Sequence, residues 1–205
     1  GPSISVKLSA LHPRYEYSHR EFVVPYLIER VKELALHAKA NHISMTIDAE
    51  EADRLDMSLD VISAIFSDPE FKDWEGLGLA LQAYQKRAFY LIDWLVDLSR
   101  HHKKRIQIRL VKGAYWDTEI KLSQVEGFND YPVFTRKANT DLSYLACAEK
   151  MLSAKDAIYS QFATHNAYSV SAILSMLDGK NNRHYFEFQS LQGMGRSLHD
   201  EIIDK

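Results

Sequence analysis

A single cysteine, Cys147, excludes any intrachain disulfide, and without a second thiol there is no Cys-pair spacing for a metal. Its setting, Leu145-Ala146-Cys147-Ala148 inside a helical stretch, is that of a small buried packing residue, and such sparing use fits a reducing compartment. No apolar run approaches the roughly 18 residues that cross a bilayer as a helix. Positive charge is not in excess either. The chain has 25 Lys and Arg against 28 Asp and Glu, a net charge of -3, so it lacks the basic footprint of a nucleic-acid binder. Neither H-E-x-x-H nor G-x-S-x-G occurs, and no G-x-G-x-x-G follows the first alternating segment, which weakens a dinucleotide-binding Rossmann reading. Of the nine histidines, His12, His101 and His102 have no helical partner at ligand spacing, so no metal site is expected. Linkers, low-complexity tracts and tandem repeats are missing too, and residues 1–205 read as one domain. Gly1-Pro2-Ser3 leads directly into a strand pattern with no signal peptide before it, with the expectation of a segment cut from something longer.

What is present is a regular alternation. Strand periodicity runs over Ser3–Ser9, Ile43–Asp48, Leu77–Ala83, Ile106–Val111, Ile158–Thr164 and Tyr185–Leu191, with a short seventh strand expected near Val133–Thr135. Helical spacing occupies Glu21–Ala40, the stretch after Glu50, Glu51 and Asp53 to about Phe66, Ala88–His101, Trp116–Gln124, Asp141–Leu152, Ala167–Leu177 and Leu198–Ile203. Seven strands, each followed by helix, imply a parallel sheet with right-handed crossovers. The expected fold class is α/β, a (β/α)8 TIM-type barrel cut before its eighth β/α unit, since complete barrels take about 250 residues. An open doubly wound sheet is the alternative.

Strand parity locates a candidate site. Ile4, Val6 and Leu8, then Ile43, Met45 and Ile47, then Leu77, Leu79 and Leu81, then Ile106, Ile108 and Leu110 form a wholly aliphatic parity, which must face the helices. The opposite parity then ends in Lys7, Asp48, Gln82 and Arg109 at one mouth of the barrel. Lys7 and Asp48 alone would satisfy each other as a pair, but four polar groups at one level favour a ligand site. In Arg109–Asp117, R-L-V-K-G-A-Y-W-D, a strand passes to a helix through Gly113, where a backbone can approach a ligand. Thr164-His165-Asn166 opens another helix, where a phosphate or adenylate would dock, although Asn166 alone also suits an ordinary N-cap. Glu187, Gln189 and Leu191 share a parity before the turn Gln192-Gly193-Met194-Gly195. Of Glu50 and Glu51, adjacent and therefore divergent, at most one is expected to face the site, the other being solvated.

The residues Ser5 to Tyr15, Ile47 to Glu51, Gln82 to Arg87, Arg109 to Asp117, Phe162 to Asn166 and Phe188 to Gly195 together resemble the proline dehydrogenase family, most closely the proline dehydrogenase domain of the bacterial bifunctional proline utilization A flavoenzymes. The resemblance implies FAD-dependent oxidation of L-proline to 1-pyrroline-5-carboxylate by hydride transfer to flavin N5, with electrons passed to a quinone. It implies that Arg109, Val111, Lys112, Gly113, Ala114 and Trp116 line the flavin ring and its linker, with Gln82 near the ring. Thr135, Lys137, Thr164, His165, Asn166 and Gln189 would contact the ribityl, pyrophosphate and adenylate parts. Lys7 and Asp48 would lie on the proline side, Lys7 near the carboxylate, with Tyr115 and Leu191 packed on the proline ring. A positive Arg109 beside the flavin would favour the anionic reduced form. The resemblance also implies a cytoplasmic protein whose parent enzyme is peripheral to the inner face of the membrane. In the family an eighth strand and helix carry an arginine pair that clamps the substrate carboxylate, together with substrate-facing tyrosines. None of these falls within the 205 residues, so the expectation is that this piece alone is inactive. Two other readings remain open at this point: a Schiff-base lyase of the aldolase type using Lys7 or Lys112, and a non-catalytic barrel fragment.

Overall fold

A computed structural model describes residues 1–177 and 185–203; residues 204 and 205, the end of the expected unit, lie outside the described residues. Six strands, β1 (Ser3–Val6), β2 (Ser44–Ile47), β3 (Leu77–Gln82), β4 (Ile106–Val111), β5 (Ile158–Ala163) and β6 (Phe186–Gln189), pair in parallel in sequence order. Helices α1 (Arg20–Ala40), α2 (Leu55–Ser67), α3 (Ala88–His102), α4 (Trp116–Val125), α5 (Lys137–Ser153), α6 (Ala167–Met176) and α7 (Arg196–Ile203) alternate with them, α4 and α5 both falling between β4 and β5. The result is an α/β half-barrel, open between β1 and β6 among the described residues.

The parity argument explains why the sheet packs as it does. Met45, Ile47, Leu77, Leu79, Leu81, Ile106, Ile108, Leu110, Ile158 and Phe162 are all buried against the helices, where each large aliphatic or aromatic side chain contributes roughly 1.5–3 kcal/mol. Against them α1 sets Val23, Leu27, Val31 and Ala35, and α3 sets Ile92, Leu95 and Val96, the spacing of one helical stripe. Ile4 departs from the pattern and is 52% exposed, because β1 is an edge strand. Cys147 is buried in this layer as expected, and burial pushes its thiol up to about 11.

Three sequence expectations are corrected. Val133–Thr135 is not a seventh strand. Val133 makes only an isolated antiparallel bridge to Gln85, and Phe134 N–H donates to Tyr84 O at 2.8 Å, so this segment pairs with the loop after β3 instead of joining the sheet. The first strand stops at Val6, because Leu8–Ala10 turn into a 3-10 helix closed by Ala10 N–H to Lys7 O at 3.0 Å. Glu50, Glu51 and Asp53 do not open a continuous α-helix: a 3-10 turn over Ala52–Arg54 comes first, and α2 starts at Leu55. No helix among the described residues is long and apolar enough to cross a membrane.

Lys104 is an electrostatic liability of the core. Its ammonium donates to Phe71 O at 2.7 Å and lies 4.2 Å from the Phe66 ring centroid, and burial pushes it down to about 8 from its ordinary 10.5. Between pH 8 and 10.5 the unfolded chain therefore holds the proton more tightly than the folded one, and stability rises with pH across that window. The stability difference between wild type and Lys104→Met, read from urea midpoints, is expected to move toward wild type from pH 8 to 10.5 and to stay flat below pH 8. A difference independent of pH would contradict this.

Candidate active site

Because all six strands run parallel, their C-terminal ends form one rim, and the register fixes which inward residues share a level. Pairings Val6↔Ile47, Ile47↔Leu79, Ala80↔Arg109, Arg109↔Gln161 and Gln161↔Glu187 put Lys7, Asp48, Ala80, Arg109, Gln161 and Glu187 in one layer. One step above it, Gln82 pairs with Val111 and Ala163 with Gln189. Lys7, Asp48, Gln82 and Arg109 are thus brought together as expected, but with different partners. Arg109 donates to Asp48 Oδ1 at 2.7 Å and to Ser5 Oγ at 2.6 Å, while Lys7 Nζ donates to Tyr115 OH at 3.1 Å. The Lys7–Asp48 pair is not formed, since the guanidinium reaches across from β4 with a forked donor that suits a carboxylate. Hydrogen bonding to Tyr115 foremost, with Glu50 and Asp48 adding their charge, holds Lys7 above its ordinary value.

Gln82 is 2% exposed and fully engaged: its amide donates to Glu50 O at 2.8 Å, and its carbonyl accepts from Ala114 N–H at 3.1 Å. It thereby ties the loop after β2 to the loop after β4. Glu50 and Glu51 do not diverge as expected, and neither is simply solvated. The 3-10 turn swings Arg54 back between them, 3.0 Å from Glu50 and 3.1 Å from Glu51.

On the outer side of the rim, Lys112, Gly113, Trp116, Thr135 and Lys137 line a cleft of about 410 Å³ with Tyr84, Thr140 and Asp141. Asp141 receives both ammonium groups, Lys112 and Lys137, each at 2.5 Å, and the pair holds its carboxyl below the usual carboxylate range. Trp116 Nε1 donates to Phe134 O at 2.9 Å, which fixes the indole while leaving its face open. Gly113 has φ +141, and an added Cβ would lie 2.4 Å from the Tyr84 ring, so the tyrosine itself demands glycine here. Ala114 is exposed beside it, and Val111 is half-buried on the inward parity.

The β5–α6 end is more locally engaged than the sequence implied. Asn166 Oδ1 caps α6 through Ser169 N–H at 2.9 Å, Thr164 Oγ1 accepts from Asn166 N–H at 3.1 Å, and His165 Nε2 accepts from Leu191 N–H at 2.9 Å. Leu191 is 66% exposed, and Gln189 donates to Glu187 Oε1 at 2.7 Å.

A sequence profile of the proline dehydrogenase family matches residues 1–205. The chain belongs to the proline dehydrogenase family. It is 50% identical over 205 residues to the bifunctional protein PutA of Klebsiella aerogenes, covering 100% of this chain and 16% of that protein. A crystal structure of Bradyrhizobium japonicum proline utilization A (PutA), mutant D779Y, superimposes with a TM-score of 0.95 at 54% identity, covering 99% of this chain and 21% of that one. PutA of Bdellovibrio bacteriovorus inactivated by N-propargylglycine superimposes with a TM-score of 0.93 at 28% identity, covering 98% and 21%. The chain thus spans about a sixth of the length of the PutA protein of Klebsiella aerogenes and about a fifth of these crystallised chains.

Several residues of this proline dehydrogenase rim escaped the sequence reading. Asp141, Tyr84 and Gln161 were not singled out, and Glu119 was missed altogether. Glu119 is 3% exposed and accepts from Ala52 N–H at 2.6 Å, bracing α4 against the loop after β2, while burial raises its carboxyl above the usual range. An acidic residue in the first turn of a helix reads as a favourable dipole partner, and only the tertiary contact reveals the brace. Gly113→Ala is expected to lower stability by about 1–3 kcal/mol, because it combines left-hand-side backbone strain with the Tyr84 clash. Chemical denaturation measures it, and a change below a few tenths would refute the packing argument.

Proposed function

We propose that residues 1–205 form, as one domain, part of a (β/α)8 barrel that oxidises L-proline to 1-pyrroline-5-carboxylate with FAD, passing electrons to a quinone, as part of a cytoplasmic PutA-type enzyme peripheral to the membrane. The six strands are then part of an eight-stranded barrel completed by sequence outside them, which accounts for the open β1 and β6 edges. The observation that carries the reading is the convergence of Lys7, Tyr115, Asp48, Arg109 and Gln82 at one rim, next to a cleft walled by Trp116 and Tyr84.

The donor set suits FAD. An indole and a phenol offer flat apolar walls, and two ammonium groups and the hydroxyls of Thr135 and Thr140 would supply a pyrophosphate with cations and donors. Arg109 Nε is a buried donor with no hydrogen-bond partner among the described residues. When bound, the flavin supplies the hydride-accepting chemistry. Lys7, kept protonated by Tyr115 and the nearby carboxylates, binds the substrate carboxylate, and Tyr115 and Leu191 pack against the ring. Asp48 and Ser5 hold the Arg109 guanidinium in a fixed plane. Gln82 keeps the loop carrying Ala114 and Tyr115 at the right height. Val111, Lys112, Gly113, Trp116, Thr135, Lys137, Thr164, His165, Asn166 and Gln189 hold the remaining parts of the dinucleotide. The raised position of Lys7 argues against Lys7 as the nucleophile of the Schiff-base alternative, because an imine-forming lysine must be depressed instead.

The decisive experiment is the visible absorbance of the full-length protein before and after proline is added. A flavin band that bleaches with proline is expected, and a colourless, proline-indifferent protein would overturn the reading. The 205-residue chain alone is expected to show no turnover with an artificial acceptor. In the full-length enzyme, Lys7→Ala should raise KM for proline about tenfold or more, the loss of one charge-assisted hydrogen bond, with a smaller effect on kcat.

A further inference from the structure

The inner face of the half-barrel is not filled with the branched aliphatic side chains usual for such barrels; it is polar. Gln107 donates to Ser44 Oγ at 3.2 Å and to Glu75 O at 2.9 Å, and accepts from Gln161 Nε2 at 3.3 Å. Gln161 also donates to Glu187 Oε1 at 3.0 Å, and Gln189 donates to the same oxygen at 2.7 Å. Tyr159 OH donates to Glu187 Oε2 at 3.3 Å. Glu187 therefore terminates a chain of three donors, and among the described residues it forms no ion pair. Burial first, then the adjacent Glu187, keeps the Tyr159 phenol above its ordinary value, so it stays a donor.

Two consequences follow from this geometry. A carboxylate accepts only, so it dictates that Gln161 and Gln189 turn their NH₂ groups toward it and their carbonyl oxygens away. Gln161 is 4% exposed, and its Oε1 is left buried without a hydrogen-bond partner among the described residues. The second consequence is electrostatic. Arg109 pairs in register with Gln161 and Gln161 with Glu187, so Glu187 lies two strands, roughly 10 Å of backbone, from Arg109, on the side opposite Asp48. One cation thus stands between two interior carboxylates at a single level of the rim.

We propose that Glu187 is a positioning and tuning residue of this site: its carboxylate sets the amide orientation of Gln161 and Gln189 and adds a second interior negative charge two strands from Arg109, lowering the reduction potential of the bound flavin. The proposal rests on the FAD reading above. A fixed negative charge disfavours electron uptake nearby, and in a partly dehydrated interior it is screened far less than at the surface. Glu187→Gln isolates the charge, because its carbonyl still accepts from both amides and its NH₂ donates to Tyr159 OH.

The test uses the full-length FAD-loaded protein and reads the flavin midpoint potential by spectroelectrochemical titration. Glu187→Gln is expected to retain FAD and to shift the potential to a more positive value. Tyr159→Phe, which removes one hydrogen bond and keeps the charge, is expected to leave the potential at the wild-type value. An unchanged potential in Glu187→Gln overturns the proposal. So does an equal shift in Tyr159→Phe, or loss of FAD from a Glu187→Gln protein whose circular dichroism is native. A wild-type protein that takes up no FAD would instead overturn the reading beneath it.

Discussion

The forked contact of Arg109 with Asp48 and Ser5 is the interaction around which this molecule is arranged. A guanidinium never loses its proton, so placing one on the inner face of a sheet obliges the fold to bring acceptors to it. Those acceptors come from β1 and from the end of β2, so the contact ties β4 to the two neighbouring strands that lie across β3 from it. The aliphatic outer parity provides the adhesion, and the polar inner parity decides which residues meet at the rim.

Much of this was legible before any coordinates. Strict alternation in Leu77–Leu81 and Ile106–Leu110 announced both the sheet and its two faces, because leucine and isoleucine at every second position have only one reasonable place to go. The end positions of the same strands then had to be the rim. The reading failed where tertiary geometry outweighs local pattern. Val133, β-branched and flanked by an aromatic residue, has strand propensity, yet it bridges to Gln85 outside the sheet. Glu50 and Glu51 are adjacent and diverge in any regular element, but a single 3-10 turn lets Arg54 collect both.

The fifth strand shows a subtler limit. Ser160 faces the helices between Ile158 and Phe162, breaking the apolar rhythm that would have marked Tyr159 and Gln161 as interior. With that rhythm blurred, the polar interior linking Gln107, Gln161 and Glu187 could not be inferred from spacing. Nor could Asp141, which lies one helical turn beyond Lys137 but meets Lys112 only because β4 ends beside the start of α5. Paired cations and anions of this kind leave no periodic trace.

Asp141 has one more implication. A carboxylate gripped by two ammonium groups already plays the part of an anionic guest, so the cleft keeps its cations aimed and separated from each other while nothing else is there. Any phosphate-bearing molecule that settles in it must loosen a tethered resident and must leave that resident a place to return to. Occupancy of this cleft by such a molecule would thus be an exchange of one anion for another, with Asp141 as the protein's own placeholder.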